Sequence, residues 1–255
     1  MTGRLERASP HPACRSPPLP SPQATAGAEL SVLSGGAIEP GLKAAAAAFQ
    51  RETGHAVRIT FNTTPQIRQR IAGGDASDVV IAPPAAIEEF AKAGRLETDR
   101  VQVGRVGLGA AVRPGAPVPD ISSADALRRA VLEAESIVFN RASTGLYFEE
   151  LLKKMGVYDQ VASKTTRYPD GASVMEHVLA KGQGREIGFG PITEILLYKD
   201  KGLRLVGPLP AEVQNYTSYV AAPMLGGSNL DRARAFVRSL GAPAGRALFQ
   251  AAGIE

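Results

Sequence analysis

The run Leu30-Ser31-Val32-Leu33-Ser34-Gly35-Gly36-Ala37-Ile38 decides how this chain is read. An apolar, strand-like stretch ends in small and hydroxyl residues, and Pro40 then suits the first turn of a helix. Leu42, Ala45, Ala46 and Phe49 follow at helical spacing, and Gly54 closes the segment as a C-cap. Three more stretches repeat the arrangement: Asn62-Thr63-Thr64-Pro65, Arg141-Ala142-Ser143-Thr144-Gly145 and Pro169-Asp170-Gly171-Ala172-Ser173. A helix N-terminus leaves backbone N–H groups unpaired and carries partial positive charge, so it favours anions. Small residues let a ligand reach that backbone, and hydroxyls add donors without bulk. Each stretch alone is an ordinary N-cap. Four of them, two in each half of the chain, point to a cleft for a small oxyanion or carboxylate.

Between these loops, short apolar runs alternate with helical patterns. Val57, Ile59 and Phe61 alternate as a strand. Residues 78–82 form the apolar run of a strand buried on both faces, and Gly94 ends the helix after it. Val101–Val112 reads as a long strand. After Arg113-Pro114-Gly115 the pattern restarts: strands at 137–139, 165–168, 187–189 and 203–206 alternate with helices, with Thr144 as the cap of one. Tyr216–Ala222 is a strand that returns to the first block, and two helices close the chain. Strands alternating with helices imply an α/β protein with helix-covered parallel sheets. We divide it into lobe 1 (29–113 plus 217–255) and lobe 2 (114–216), with the ligand cleft between them.

Composition removes several function classes. The formal charge of +4 includes +2 from residues 1–28, where Arg4, Arg7 and Arg15 face Glu6, so no basic face for nucleic acid stands out. Trp is absent, which argues against a stacking platform. Cys14 is the single cysteine, and His11, His55 and His177 lack metal-ligand spacing, so no metal and no cofactor is expected. There is no nucleophile-elbow motif. Residues 1–28 hold six prolines without an apolar pattern, so they read as an unordered tail with no recognisable signal peptide.

With the motifs placed, residues 29–255 resemble the type II periplasmic solute-binding proteins, most closely the molybdate-binding branch. The likeness rests on the Ser34-Gly35-Gly36-Ala37-Ile38 loop and on Ile71-Ala72-Gly73-Gly74-Asp75-Ala76-Ser77-Asp78-Val79. It also rests on Thr144-Gly145 and on the strand Ile187-Gly188-Phe189-Gly190. The resemblance implies a two-lobed fold of two mixed sheets flanked by helices, a periplasmic location, a monomer, a small anionic ligand and an ABC-type transporter partner. It also implies contacts from Thr63 or Thr64, Thr144 and the backbone of Ala172. Two departures weaken molybdate itself: Ala37 and Phe189 stand where molybdate binders place a serine and a tyrosine. Losing a hydroxyl donor costs about 1–3 kcal/mol where the partner stays unpaired.

Arg68, Arg141 and Arg167 flank the loops, and a guanidinium fork matches carboxylates two bonds at a time. Their position favours a polycarboxylate. The expected site therefore comprises Ser34, Gly35, Gly36, Ala37, Thr63, Thr64, Arg68, Arg141, Ser143, Thr144, Gly145, Gly171, Ala172, Ser173 and Phe189. The leading expectation is a receptor that closes on an anion. The alternative is an isomerase on the same fold, since some similar proteins are aconitate isomerases. Allylic proton transfer needs a general base, for which Glu149, His177, Tyr147 and Tyr216 are the candidates, none of them distinguished from a packing role.

Overall fold

A computed structural model describes residues 29–181 and 184–255; the expectation for residues 1–28 lies outside the described residues. The chain opens with β1 (Leu30–Gly35), a 3-10 turn at Gly36–Ile38, α1 (Glu39–Thr53), β2 (Val57–Asn62) and α2 (Thr64–Ala72). Then come β3 (Val79–Ala82), α3 (Pro84–Lys92), β4 (Val101–Val112), α4 (Ala124–Glu133) and β5 (Ser136–Asn140). They are followed by α5 (Ser143–Lys154), α6 (Tyr158–Val161), β6 (Thr165–Tyr168), α7 (Gly171–Ala180) and β7 (Glu186–Pro191). The last elements are α8 (Ile192–Leu197), β8 (Arg204–Pro208), β9 (Tyr216–Pro223), α9 (Leu230–Gly241) and α10 (Pro243–Ala251).

The strands hydrogen-bond in the order β2-β1-β3-β9-β4-β7-β5-β6, with β8 also on β4. β1 is parallel to β2 and β3, and β5 is parallel to β6 and β7, while β9 runs antiparallel to β3 and β4. β4 belongs to both sheets. Its residues 101–107 pair with β9, whereas 108–112 pair with β7 and β8. Two mixed sheets sharing one long strand make the two lobes. Residues 108–112, counted with lobe 1 from sequence, thus bond into the second sheet.

Side-chain alternation along the strands explains why both faces are covered. In the first sheet Leu30, Val32, Val79 and Ile81 pack on Leu42, Phe49, Phe236 and Phe249 of α1, α9 and α10. Leu33, Val80 and Ala82 face Ile67, Ile71, Ile87 and Phe90 of α2 and α3. In the second sheet Phe139 and Phe189 pack against Phe148 of α5, with ring centroids 5.3 and 4.0 Å apart. Such ring pairs add about 0.5–1.5 kcal/mol each beyond their buried area. Gly54 and Gly94 adopt φ of 74° and 67°, the left-handed geometry that ends α1 and α3.

Asp78, buried at the foot of β3, ties distant segments together. One carboxylate oxygen accepts the N–H and hydroxyl of Ser31, both at 2.7 Å. The other accepts the N–H of Ser228 at 2.6 Å, its hydroxyl at 2.9 Å and the N–H of Asn229 at 3.2 Å. Burial pushes this carboxyl up, and the bonds from Ser31, Ser228 and Asn229 outweigh it, leaving it below its ordinary value. Part of the motif that carried the family resemblance is therefore architectural.

Candidate functional site

A cavity of about 390 Å³ lies between the lobes, and helix N-termini meet at it. Gly35, Gly36, Ala37 and Glu39 bring the turn before α1, Thr63 and Thr64 the start of α2, Ser143 and Thr144 the start of α5, and Gly171 and Ala172 the start of α7. The first N–H groups of each helix have no acceptor within it. The Ser143 hydroxyl donates to Thr64 Oγ1 across the cleft at 3.4 Å, and the Thr193 hydroxyl of α8 donates to the Ala37 carbonyl.

Local chemistry shapes each loop. Thr63 and Gln66 form a capping box, with the Thr63 N–H donating to Gln66 Oε1 at 2.8 Å. Asp170 caps α7 by accepting the Ser173 N–H at 2.8 Å. Thr144 is not the cap expected from sequence. The N-cap is Ala142, and Thr144 sits inside the helix, where its hydroxyl accepts from Asn140 Nδ2 at 2.9 Å. Asn140 performs the capping instead: its Oδ1 accepts the N–H groups of Ala142 at 2.9 Å and Gly145 at 3.0 Å.

The remaining expected residues lie elsewhere, each for a visible reason. The buried Ser34 hydroxyl donates to the Gly35 carbonyl at 3.1 Å. A side chain at Gly145 would strike the Asn140 carbonyl, so this glycine serves close packing beneath the cleft. The Ser173 N–H is taken by Asp170, and Ser173 does not line the cavity. Phe189 is a core ring under Phe148. Arg68 turns toward α3 and pairs with Glu89 at 2.7 Å. Arg141 is exposed outside the cavity, and Arg167 pairs with Glu149 over the Phe139 ring. None of the three arginines therefore brings a guanidinium to the cavity. Among the described residues, the cation that lines the cavity is Lys201, its amino group 4.6 Å from the ring centre of Tyr198.

None of the four candidate bases lines the cavity either. Glu149 is held by Arg167 and Lys153. His177 lies between the Tyr168 hydroxyl at 2.7 Å and Glu186 at 3.3 Å. The Tyr147 hydroxyl donates to the Val213 carbonyl at 2.8 Å, and Tyr216 is exposed beneath Arg105.

A different acid occupies the cleft. Glu194 of α8 reaches between Gly36 and Gly171: a Cβ on Gly36 would sit 3.2 Å from its Oε1, and one on Gly171 would fall onto its Oε2. Oε2 is buried without a hydrogen-bond partner. Burial first, then the nearby carboxylates of Asp170 and Glu39, push Glu194 up to about 8, so it is mainly protonated at neutral pH. Tyr198 beside it is pushed up to about 12, by burial and by its hydrogen bond to Glu176. The available signal for Glu194 was a lone acid in the apolar run Ile192–Leu197.

The family model described as bacterial extracellular solute-binding protein matches residues 30–255. The chain belongs to this family. Among characterised relatives, this solute-binding protein is 30% identical over 218 residues to aconitate isomerase from Pseudomonas sp, covering 83% of this chain and 81% of that one. Its fold is similar to that of the Azotobacter vinelandii periplasmic molybdate-binding protein, with a TM-score of 0.75, 19% identity, and 89% and 99% of the two chains covered. The tungstate ABC transporter structure from Geobacter sulfurreducens gives a TM-score of 0.70 at 15% identity, covering 89% and 100%. The expected two-lobed α/β architecture is the one observed.

Proposed function

We propose that the protein binds a small carboxylate anion in the interlobe cleft, as the extracytoplasmic receptor of an ABC-type transporter. The observation that carries this is the meeting of four helix N-termini and the Thr63, Thr64 and Ser143 hydroxyls in one cavity, with Thr64 and Ser143 touching across the lobes. Closure of the two lobes, one built on each sheet, orders both sets of donors around the ligand. A cavity of about 390 Å³ holds the volume of roughly a dozen waters, which suits an organic acid better than one tetrahedral oxyanion. Ala37 brings no hydroxyl to the cavity it lines, which also disfavours molybdate. Among the described residues no helix is long and apolar enough to cross a membrane.

Titration calorimetry of the full chain with citrate, cis-aconitate, molybdate and tungstate tests this reading. Carboxylates are expected to bind more tightly than the oxyanions. Submicromolar molybdate binding without carboxylate binding would overturn it.

A second reading is favoured by the aconitate isomerase relative, whose similarity covers 83% of this chain. On that reading the same cleft interconverts isomers of an unsaturated tricarboxylate. Proton NMR of cis-aconitate at catalytic protein concentration separates the two, because a receptor returns its ligand unchanged.

A further inference from the structure

We infer that Glu194 is the catalytic residue that carries the proton in an allylic isomerisation within the cleft, an inference that rests on the isomerase reading. Three geometric facts support it. The carboxyl group lines the cavity, yet its Oε2 makes no hydrogen bond within the protein. Two glycines, Gly36 and Gly171, leave the room its oxygens occupy. A purely structural acid in an apolar helix would be expected to satisfy both oxygens internally.

The surroundings suit proton exchange. The groups around it are Asp170 before α7, Glu39 on α1, Tyr198 and Lys201 after α8, Tyr219 on β9, and Glu176, which holds the Tyr198 hydroxyl. Asp170 and Glu39 disfavour a further negative charge, which keeps the acid near its protonated form and makes the ionised form a stronger base.

The step balances without an oxidant or reductant. Ionised Glu194 takes a proton from the saturated carbon next to a carboxylate, and the C–H electron pair enters the allylic system. The double bond shifts by one position, and the Glu194 carboxyl returns the proton to the far allylic carbon. Lys201 and the N-termini of α2, α5 and α7 face the negative charge that spreads onto the substrate carboxylates.

The test uses the full chain with cis-aconitate in deuterated water, followed by NMR, with binding measured by calorimetry. The wild type should isomerise the substrate and incorporate deuterium. Glu194→Gln should bind within about threefold of wild type, while turnover and exchange fall by at least about a hundredfold, the usual loss for an acid–base group. Glu194→Asp should keep partial turnover with a shifted pH–rate profile. If the wild type binds but neither isomerises nor exchanges, the isomerase reading fails and the inference with it. If the wild type turns over and Glu194→Gln stays within tenfold of it, the inference fails and the reading stands. A folded Glu194→Gln that no longer binds, or a Glu194→Asp profile that does not move, also overturns the assignment.

Discussion

Gly171→Ala probes the cleft more directly than removing any of its polar groups. Gly171 opens α7 without a positive φ, so alanine meets no conformational penalty and gains part of the ~1 kcal/mol that separates the two residues in a helix interior. The new Cβ, however, would fall onto Glu194 Oε2 and lie 2.8 Å from its Cδ, against a comfortable carbon–carbon separation of about 3.5–4 Å. The carboxyl group must therefore retreat by about 1 Å, and inserting a methyl into such a site costs about 1–3 kcal/mol. The net effect should be a loss of up to about 2 kcal/mol. In a Glu194→Ala background the obstruction is gone, and the same substitution should be neutral or stabilising. Urea denaturation of the four proteins gives the coupling, expected at about 1–3 kcal/mol, the range for residues in contact. On the isomerase reading, a 1 Å displacement should also lower turnover by about a hundredfold. Additive stabilities would refute the placement of Glu194 against the start of α7.

Three other outcomes are expected. Glu194 is raised from 4.5 to about 8 in the folded protein, so the native state binds the extra proton between those values. Wild type should lose stability relative to Glu194→Gln as pH climbs from 4.5 through 8, and parallel melting curves across that range would contradict this. Asp78 has the opposite sign: its lowered value means that its stabilisation is present at neutral pH and lost as pH falls below the ordinary carboxylate range, a loss that Asp78→Asn should blunt in an acid titration. Phe189→Tyr, which restores the tyrosine of molybdate binders, should destabilise by about 1–3 kcal/mol without conferring molybdate affinity, because the ring lies in the core under Phe148; tight molybdate binding by this variant would show that the strand faces the ligand.

Much of the fold could be read from the chain because its punctuation is strong. Gly54 and Gly94 end helices by the left-handed geometry their lack of a Cβ permits, and residues 79–82 are apolar throughout because both faces of β3 are covered. The loops that line the cavity were legible for the same reason, since small residues after a strand mark a helix start. Side-chain direction was not legible. Arg68 is one turn into α2, roughly on the face of Thr64, yet its long side chain turns away to Glu89 on α3 instead of into the cleft. Thr144 looked like a cap because hydroxyls cap helices, but the Asn140 amide oxygen takes two of the orphan N–H groups while its nitrogen holds the Thr144 hydroxyl. Glu194 escaped because its importance comes from burial and from Gly36 and Gly171, which are distant in sequence.

The order of strands also sets a timetable for synthesis. β9 lies between β3 and β4, yet it emerges from the ribosome roughly a hundred residues after β4 ends. At about 5–20 residues per second, β3 and the first half of β4 wait for about 5–20 s with their inner edges unpaired. Unpaired strand edges are templates for wrong partners. Overproduction that crowds nascent chains should therefore aggregate this protein through residues 79–107, and a chaperone that shields extended segments should rescue it during that interval and not after release.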